Sequence, residues 1–239
     1  MANSIIIDKV PEEYMIKSLG SGVSAECFLT SDEKVFKKYH NQNGIGYLYN
    51  TLRTKDYYKS DIFIFPETYV FMKKEIPENF IGYLMKYIEG SRLSELESSI
   101  LIRDLIDSVR IIEEEIRRLT FQGLMFNDLN QDNIMFRTIN DPKVIDTDLY
   151  EGTYNDMFGD MFKENIRELA ETIISSVIGI NDLESSKMNE YINQCAYYGM
   201  MLPSLLMREL LEYVENRLQV SISTYGEYKS GLTLLKKKN

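Results

Sequence analysis

The sequence predicts an α+β chain, with a small antiparallel β-sheet carrying one helix followed by a mainly α-helical half. Three observations predict it: short β-type runs broken by turn residues between Tyr14 and Tyr87, a change to helical periodicity after Gly90, and a turn-rich stretch of Asn and Asp residues between helices. With 239 residues, 44% of them hydrophobic, the chain can bury a substantial core; its size allows one large domain or two closely packed lobes, and two lobes sharing one cleft are expected.

In chain order, the β-type runs cover residues 14–16, 23–29, 34–39, 68–72 and 80–87. Between the third and fourth, Ile45, Leu48, Tyr49 and Leu52 fall at helical spacing, so the order is three strands, one helix, two strands. Over 100–121, Leu101, Leu105, Ile106, Val109, Ile112, Ile116 and Leu119 recur with charges between them, which predicts an amphipathic helix ended by Gly123. A short apolar run at 143–146 follows the Asn/Asp-rich turn, and further helices are expected over about 166–178, 186–199 and 202–220. Residues 1–9 hold only the apolar run Ser4-Ile5-Ile6-Ile7, too little for a signal peptide, and no stretch approaches a membrane span. Lys236, Lys237 and Lys238 read as a solvated terminus.

The formal net charge of -10 argues against nucleic acid as a partner, because a nucleic-acid binder needs a basic face to neutralise phosphates. Any anionic ligand must be held by local features. Cys27 and Cys195 are far apart and lack metal-ligand spacing, so both are expected as buried small hydrophobes in a reducing, cytoplasmic setting. The one histidine, His40, sits in a polar stretch with Asn41, Gln42 and Asn43, which gives a histidine-dependent mechanism little to work with.

Four groups of residues carry chemistry. Gly20, Ser21 and Gly22 lie between two predicted strands, where glycine lets main-chain N–H groups approach phosphate oxygens; the alternative is a plain hairpin turn. Lys37 stands in a strand among apolar neighbours and supplies a point charge for phosphate. Lys38 is the adjacent alternative, and strand alternation allows one of the two to face inward. In the stretch 126–136, Asp128 is followed five positions later by Asn133, and Asp146 and Asp148 emerge from the apolar run beyond. One carboxylate base and two oxygen ligands are the set that Mg²⁺-dependent phosphoryl transfer requires, although turns and helix caps also recruit Asn and Asp.

At these residues the sequence resembles the protein-kinase-like superfamily, in the form of a small, divergent bacterial or viral-type Ser/Thr kinase. The resemblance runs from the loop near Gly20 through the helices after Asn165. It implies a bilobal kinase-like fold in a single domain over 1–239, with an N-lobe over about 10–88 and a reduced, mainly α C-lobe over about 91–235. It also implies ATP and Mg²⁺ (or Mn²⁺) as cofactors. Asp128 and Asn133 match the Asp and Asn of the family's H-R-D-x-x-x-x-N loop, with Phe126 and Asn127 replacing the His and Arg, so Asp128 is the implied base and Asn133 a metal ligand. Asp146-Thr147-Asp148 looks like the family's D-F-G element, which makes Asp146 the principal metal ligand with Asp148 assisting. By the same resemblance Lys37 binds phosphate, Gly20, Ser21 and Gly22 form the phosphate loop, and Ala25 replaces its third glycine. Met85 becomes the gatekeeper, and the backbones of Lys86 and Ile88 bond the adenine edge.

The departures carry expectations of their own. No glutamate occurs between Lys37 and Pro66 to pair with the strand lysine, so Asp56, Asn50 or a water is expected in that role. Asn127 removes the arginine that senses a phosphorylated loop. Asn130 stands where protein Ser/Thr kinases carry a catalytic lysine, and Asn165 stands where an aspartate often anchors the loop. The stretch 149–164 is short and lacks an A-P-E sequence for peptide docking. The implied activity is transfer of the ATP γ-phosphate to a hydroxyl, on a protein Ser/Thr or on a small molecule as in aminoglycoside- and choline-kinase-like enzymes. A pseudokinase that uses the fold only to bind a partner is the alternative.

Overall fold

Phe36, Val70, Ile81 and Leu84 are buried side chains from three runs of the sequence, and they meet because those runs pair side by side. In the computed structural model, which describes residues 2–40, 43–152, 158–179 and 182–237, the chain divides into two units. One comprises Met1–Glu89 and Asp146–Gly152; the other comprises Gly90–Ile145 and Thr153–Asn239.

The first unit holds β1 (Asn3–Ile7), β2 (Lys17–Ser21), β3 (Ala25–Leu29), β4 (Lys34–Tyr39), α1 (Ile45–Arg53), β5 (Thr68–Met72) and β6 (Phe80–Lys86). They form a six-stranded sheet in the order β1-β5-β6-β4-β3-β2, antiparallel except for the parallel pair β1 and β5. Period-two alternation gives the sheet two faces. Phe36, Val70 and Leu84 lie on one, with Ile5, Ile7 and Phe28 packed against them. On the other, Tyr49 of α1 meets the rings of Tyr69, Phe71 and Phe80 at centroid distances of 5.3, 5.0 and 5.2 Å. Gly82 allows the close approach of β4 to β6, since a Cβ there would lie 2.1 Å from the Lys37 carbonyl oxygen.

One expectation for this half changes, and one strand is added to it. The run 14–16 is not a strand: Glu12–Tyr14 form a 3₁₀ turn opened by Pro11, and only Ile16 joins the ladder, its N–H bonding to Leu29 O at 3.0 Å. The apolar run near the start becomes β1, which exists only through its pairing with β5.

The second unit contains β7 (Ser91–Arg92), α2 (Ile102–Phe121), β8 (Leu124–Met125), β9 (Ile134–Phe136), β10 (Pro142–Val144), α3 (Phe158–Ile173), α4 (Ser186–Ala196), α5 (Pro203–Leu218) and α6 (Tyr225–Leu234). A small antiparallel sheet runs β10-β9-β7. The stripe Leu105, Ile106, Val109, Ile112, Ile116 and Leu119 of α2 is buried, as amphipathic spacing requires, and the helix stops two residues before Gly123. The helix expected at 166–178 starts earlier, at Phe158, and ends in a π-helical turn at Ile174–Ile178. Cys195 is buried but Cys27 is only half-buried, so the expectation of two buried thiols holds for one. Among the described residues no helix is long and apolar enough to cross a membrane. Asn41, Gln42 and Lys238, and residues 153–157 of the stretch noted for its missing A-P-E sequence, lie outside the described residues.

Candidate functional site

Antiparallel register sets Lys37 on β4 directly opposite Tyr83 on β6, so their side chains leave the same face, with Tyr39 two residues along. Lys37 is buried, at 6% exposure, whereas Lys38 is half-buried on the opposite side of the strand. A buried ammonium needs partners, and Lys37 has two: it bonds Asp146 Oδ1 and lies 2.8 Å from Asp148 Oδ2. Burial pulls its pKa down, but Asp148 and Asp146 outweigh burial and hold it above its ordinary value.

Asp148 is itself buried and fully engaged. Tyr83 Oη donates to its Oδ1, and Tyr39 Oη donates to its Oδ2, the atom beside Lys37 Nζ. Burial alone would raise the carboxyl pKa; Lys37 and the two phenols hold it below the usual range. In this arrangement Asp148 is a counter-ion of Lys37. This differs from the expectation for the lysine's partner. Asp56 accepts from Tyr69 Oη at 2.8 Å, and Asn50 is exposed on α1.

Lys55, which sequence reasoning passed over, completes the arrangement. It is almost wholly buried and donates to Thr147 O at 2.7 Å and to Asp148 O at 2.5 Å, while Thr147 Oγ1 donates to Ile64 O at 3.2 Å. Burial depresses its pKa to about 8. A lysine within the polar run 53–56 gives no sequence signal for this position, because such a residue normally faces solvent.

The phosphate-loop candidates lie in the β2–β3 hairpin. Gly20, with φ +150°, occupies a register shift in the ladder, and Gly22 N–H is engaged within the turn by Ala25 O at 2.8 Å. Ser21 Oγ lies 3.3 Å from His40 Nε2. Of the adenine candidates, Met85 is buried on β6 opposite Val35, Lys86 ends that strand with an exposed side chain, and Ile88 is buried just beyond.

In the second unit, Asp128 and its surroundings form a loop held from several sides. Asn165 is fully buried: its Oδ1 accepts from Phe126 N–H at 2.8 Å, and its Nδ2 donates to Leu124 O at 2.9 Å and to Thr120 Oγ1 at 2.7 Å. The residue expected to replace an anchoring aspartate thus does anchor this loop. Thr172 Oγ1 donates to Leu129 O, and the Glu168 carboxylate accepts from the Leu129 and Asp128 N–H groups. Asn130 Nδ2 donates to Asp128 Oδ1 at 3.1 Å. Asn133 Nδ2 donates to Asp128 O at 3.0 Å, which directs its amide oxygen the other way. Ile145 N–H bonds Asn133 O at 2.8 Å, one peptide bond before Asp146.

Asp128 and Asp146 share one further property. Their φ values of +65° and +57° lie in the left-handed region, which non-glycine residues seldom occupy outside turns and functional sites. The strand β10 stops at Val144, two residues before Asp146.

No protein-family model matches the chain, and no curated protein matches it either. A cleft of about 260 Å³ lies between α2 and α5, lined by Arg103, Asp107, Arg208, Glu212 and Glu215, and it contains none of the residues above.

Proposed function

We propose that the protein is an ATP-dependent phosphotransferase of kinase-like fold, with two lobes corresponding to the two units, and that it moves the γ-phosphate to a hydroxyl. The observation that carries this reading is the pairing of buried Lys37 with Asp146 across 109 residues of sequence. These are the two residues that the kinase resemblance names for phosphate and for metal. Two backbones held in left-handed geometry, at the base candidate and at the metal candidate, add support.

Mg²⁺ is a hard cation that takes carboxylate and amide oxygens, and by the kinase resemblance Asp146 and Asn133 would hold it. Bound with ATP, Mg²⁺ neutralises phosphate charge. Lys37 binds phosphate oxygens and fixes their orientation. Asp128, steadied by Asn130, orients the acceptor hydroxyl and takes its proton as the new P–O bond forms and the bond to the ADP oxygen breaks. The acceptor is a Ser/Thr hydroxyl of a protein, or a small-molecule alcohol given the absence of the lysine at Asn130. The free thiols suit a cytoplasmic setting.

The test is transfer of labelled γ-phosphate from ATP with Mg²⁺ or Mn²⁺ to the protein itself, a generic protein acceptor, a panel of small alcohols and water. Wild type is expected to transfer label, and Asp128→Ala and Asp146→Ala to lose at least a hundredfold in rate. Nucleotide binding without transfer to any acceptor would favour a pseudokinase, and no nucleotide binding would end the reading.

A further inference from the structure

Lys37 sits in a four-residue polar cluster buried under the sheet of the first unit. Its members come from three segments: Lys37 and Tyr39 from β4, Tyr83 from β6, and Asp148 from the short stretch that returns to this unit. Both Asp148 oxygens accept bonds, and Lys37 Nζ lies between Asp146 and Asp148. Lys55 grips the main chain at both Thr147 and Asp148 from the end of α1. Among the described residues the ion pairs of Lys37 are with Asp146 and Asp148, and neither lies in α1. Tyr49 and Leu52 of that helix are buried in apolar packing instead.

We infer that Asp148 is the positioning residue for Lys37, that Tyr39 and Tyr83 fix its carboxylate, and that Lys55 fixes the turn carrying it. The inference rests on the phosphotransferase reading and deepens it. One segment, 146–148, tied down by Lys55, holds both the metal carboxylate and the lysine's counter-ion. The lysine is therefore set at its working position by folding, with no helix movement needed. Asp148 never touches the nucleotide; it acts through Lys37. A phenol on each oxygen also keeps the carboxylate from turning away toward a metal.

The experiment measures calorimetric affinity for Mg-ATP and for adenosine on the full chain, with unfolding curves to verify folding. Adenosine lacks the phosphates, so the ratio of the two affinities reports Lys37 and is insensitive to general loosening of the fold. Wild type is expected to prefer Mg-ATP, and Lys37→Ala to lower the ratio about tenfold or more. Asp148→Asn is expected to lower it to a similar degree while adenosine affinity persists, and Asp148→Glu to recover part of the loss. Should Asp148→Asn fail to fold, Tyr39→Phe/Tyr83→Phe keeps the carboxylate but releases its two donors, and a severalfold fall is expected. A wild-type ratio in Asp148→Asn, or in Tyr39→Phe/Tyr83→Phe where Asp148→Asn does not fold, overturns the inference while leaving the phosphotransferase reading intact. Absence of any Mg-ATP preference in wild type, or its indifference to Lys37→Ala, overturns that reading and the inference with it.

Discussion

Asn165 uses all of its directional character: one carbonyl accepts and one amide donates twice, with no exposed surface. An aspartate is nearly the same size but cannot donate to Leu124 O, and it brings a charge into a dry site. Asn165→Asp is therefore expected to destabilise the protein by about 3 kcal/mol in urea denaturation, and a loss under about 0.5 kcal/mol would show that the loop is held elsewhere. Glu113 on α2 shows the opposite balance. Its two oxygens accept from Ser204 N–H at 2.6 Å and Ser204 Oγ at 2.6 Å at the start of α5, yet burial dominates and pushes its pKa from 4.5 to about 7. The native state then binds more protons than the unfolded chain between those two values. The stability linked to this proton is complete below about pH 4.5 and is lost as pH rises through about 7. Glu113→Gln is expected to flatten the pH 5 to 7 stability slope measured by urea denaturation, and an unchanged slope would reject the assignment.

At the scale of elements, strand β4 owes its position to a residue without a side chain on its neighbour. Gly82→Ala would put a methyl 2.1 Å from the Lys37 carbonyl oxygen, a backbone atom that can move only with its strand. The expected cost is about 3 kcal/mol or more by thermal or chemical unfolding, and a near-neutral result would mean that β4 is free to shift. The elements that sequence periodicity located well are those with a complete apolar stripe, such as α2, or unbroken β-type runs, such as β4 and β5. Helix α6 escaped because one of its buried positions is Gly231, whose Cβ would meet Val214 Cγ1 at 2.3 Å, so the stripe has a gap. Its start was nonetheless written in the sequence as a capping box: Thr224 Oγ1 accepts from Glu227 N–H at 3.2 Å, and Glu227 accepts in return.

On the scale of the whole molecule, the first unit is discontinuous, and its return segment carries the only counter-ions seen for Lys37 among the described residues. A fragment of residues 1–89 keeps every strand of the six-stranded sheet but leaves Lys37 and Lys55 buried without Asp146, Asp148 and the two carbonyls. It is expected to be unfolded or molten, with poor dispersion in amide NMR spectra, despite its complete set of strands. A well-dispersed spectrum from that fragment would mean that the ammonium groups find water instead. The net charge of -10 further leads us to expect no retention on immobilised DNA at 0.1 M salt, checked by simple column binding.

Local pattern named Asp128, Asn133 and Asp146 and narrowed the lysine to Lys37 or Lys38, between which the kinase resemblance chose, because strand alternation and the spacing of oxygen-bearing residues are short-range properties that periodicity reports. The partner of Lys37 was beyond its reach. Asp148 lies 111 positions from Lys37 in the numbering, and which carboxylate meets that ammonium depends on where a distant segment rejoins the sheet. The same holds for Lys55 and for strand β1, a surface-type lysine and a short apolar run until non-local pairing buries the one and hydrogen-bonds the other.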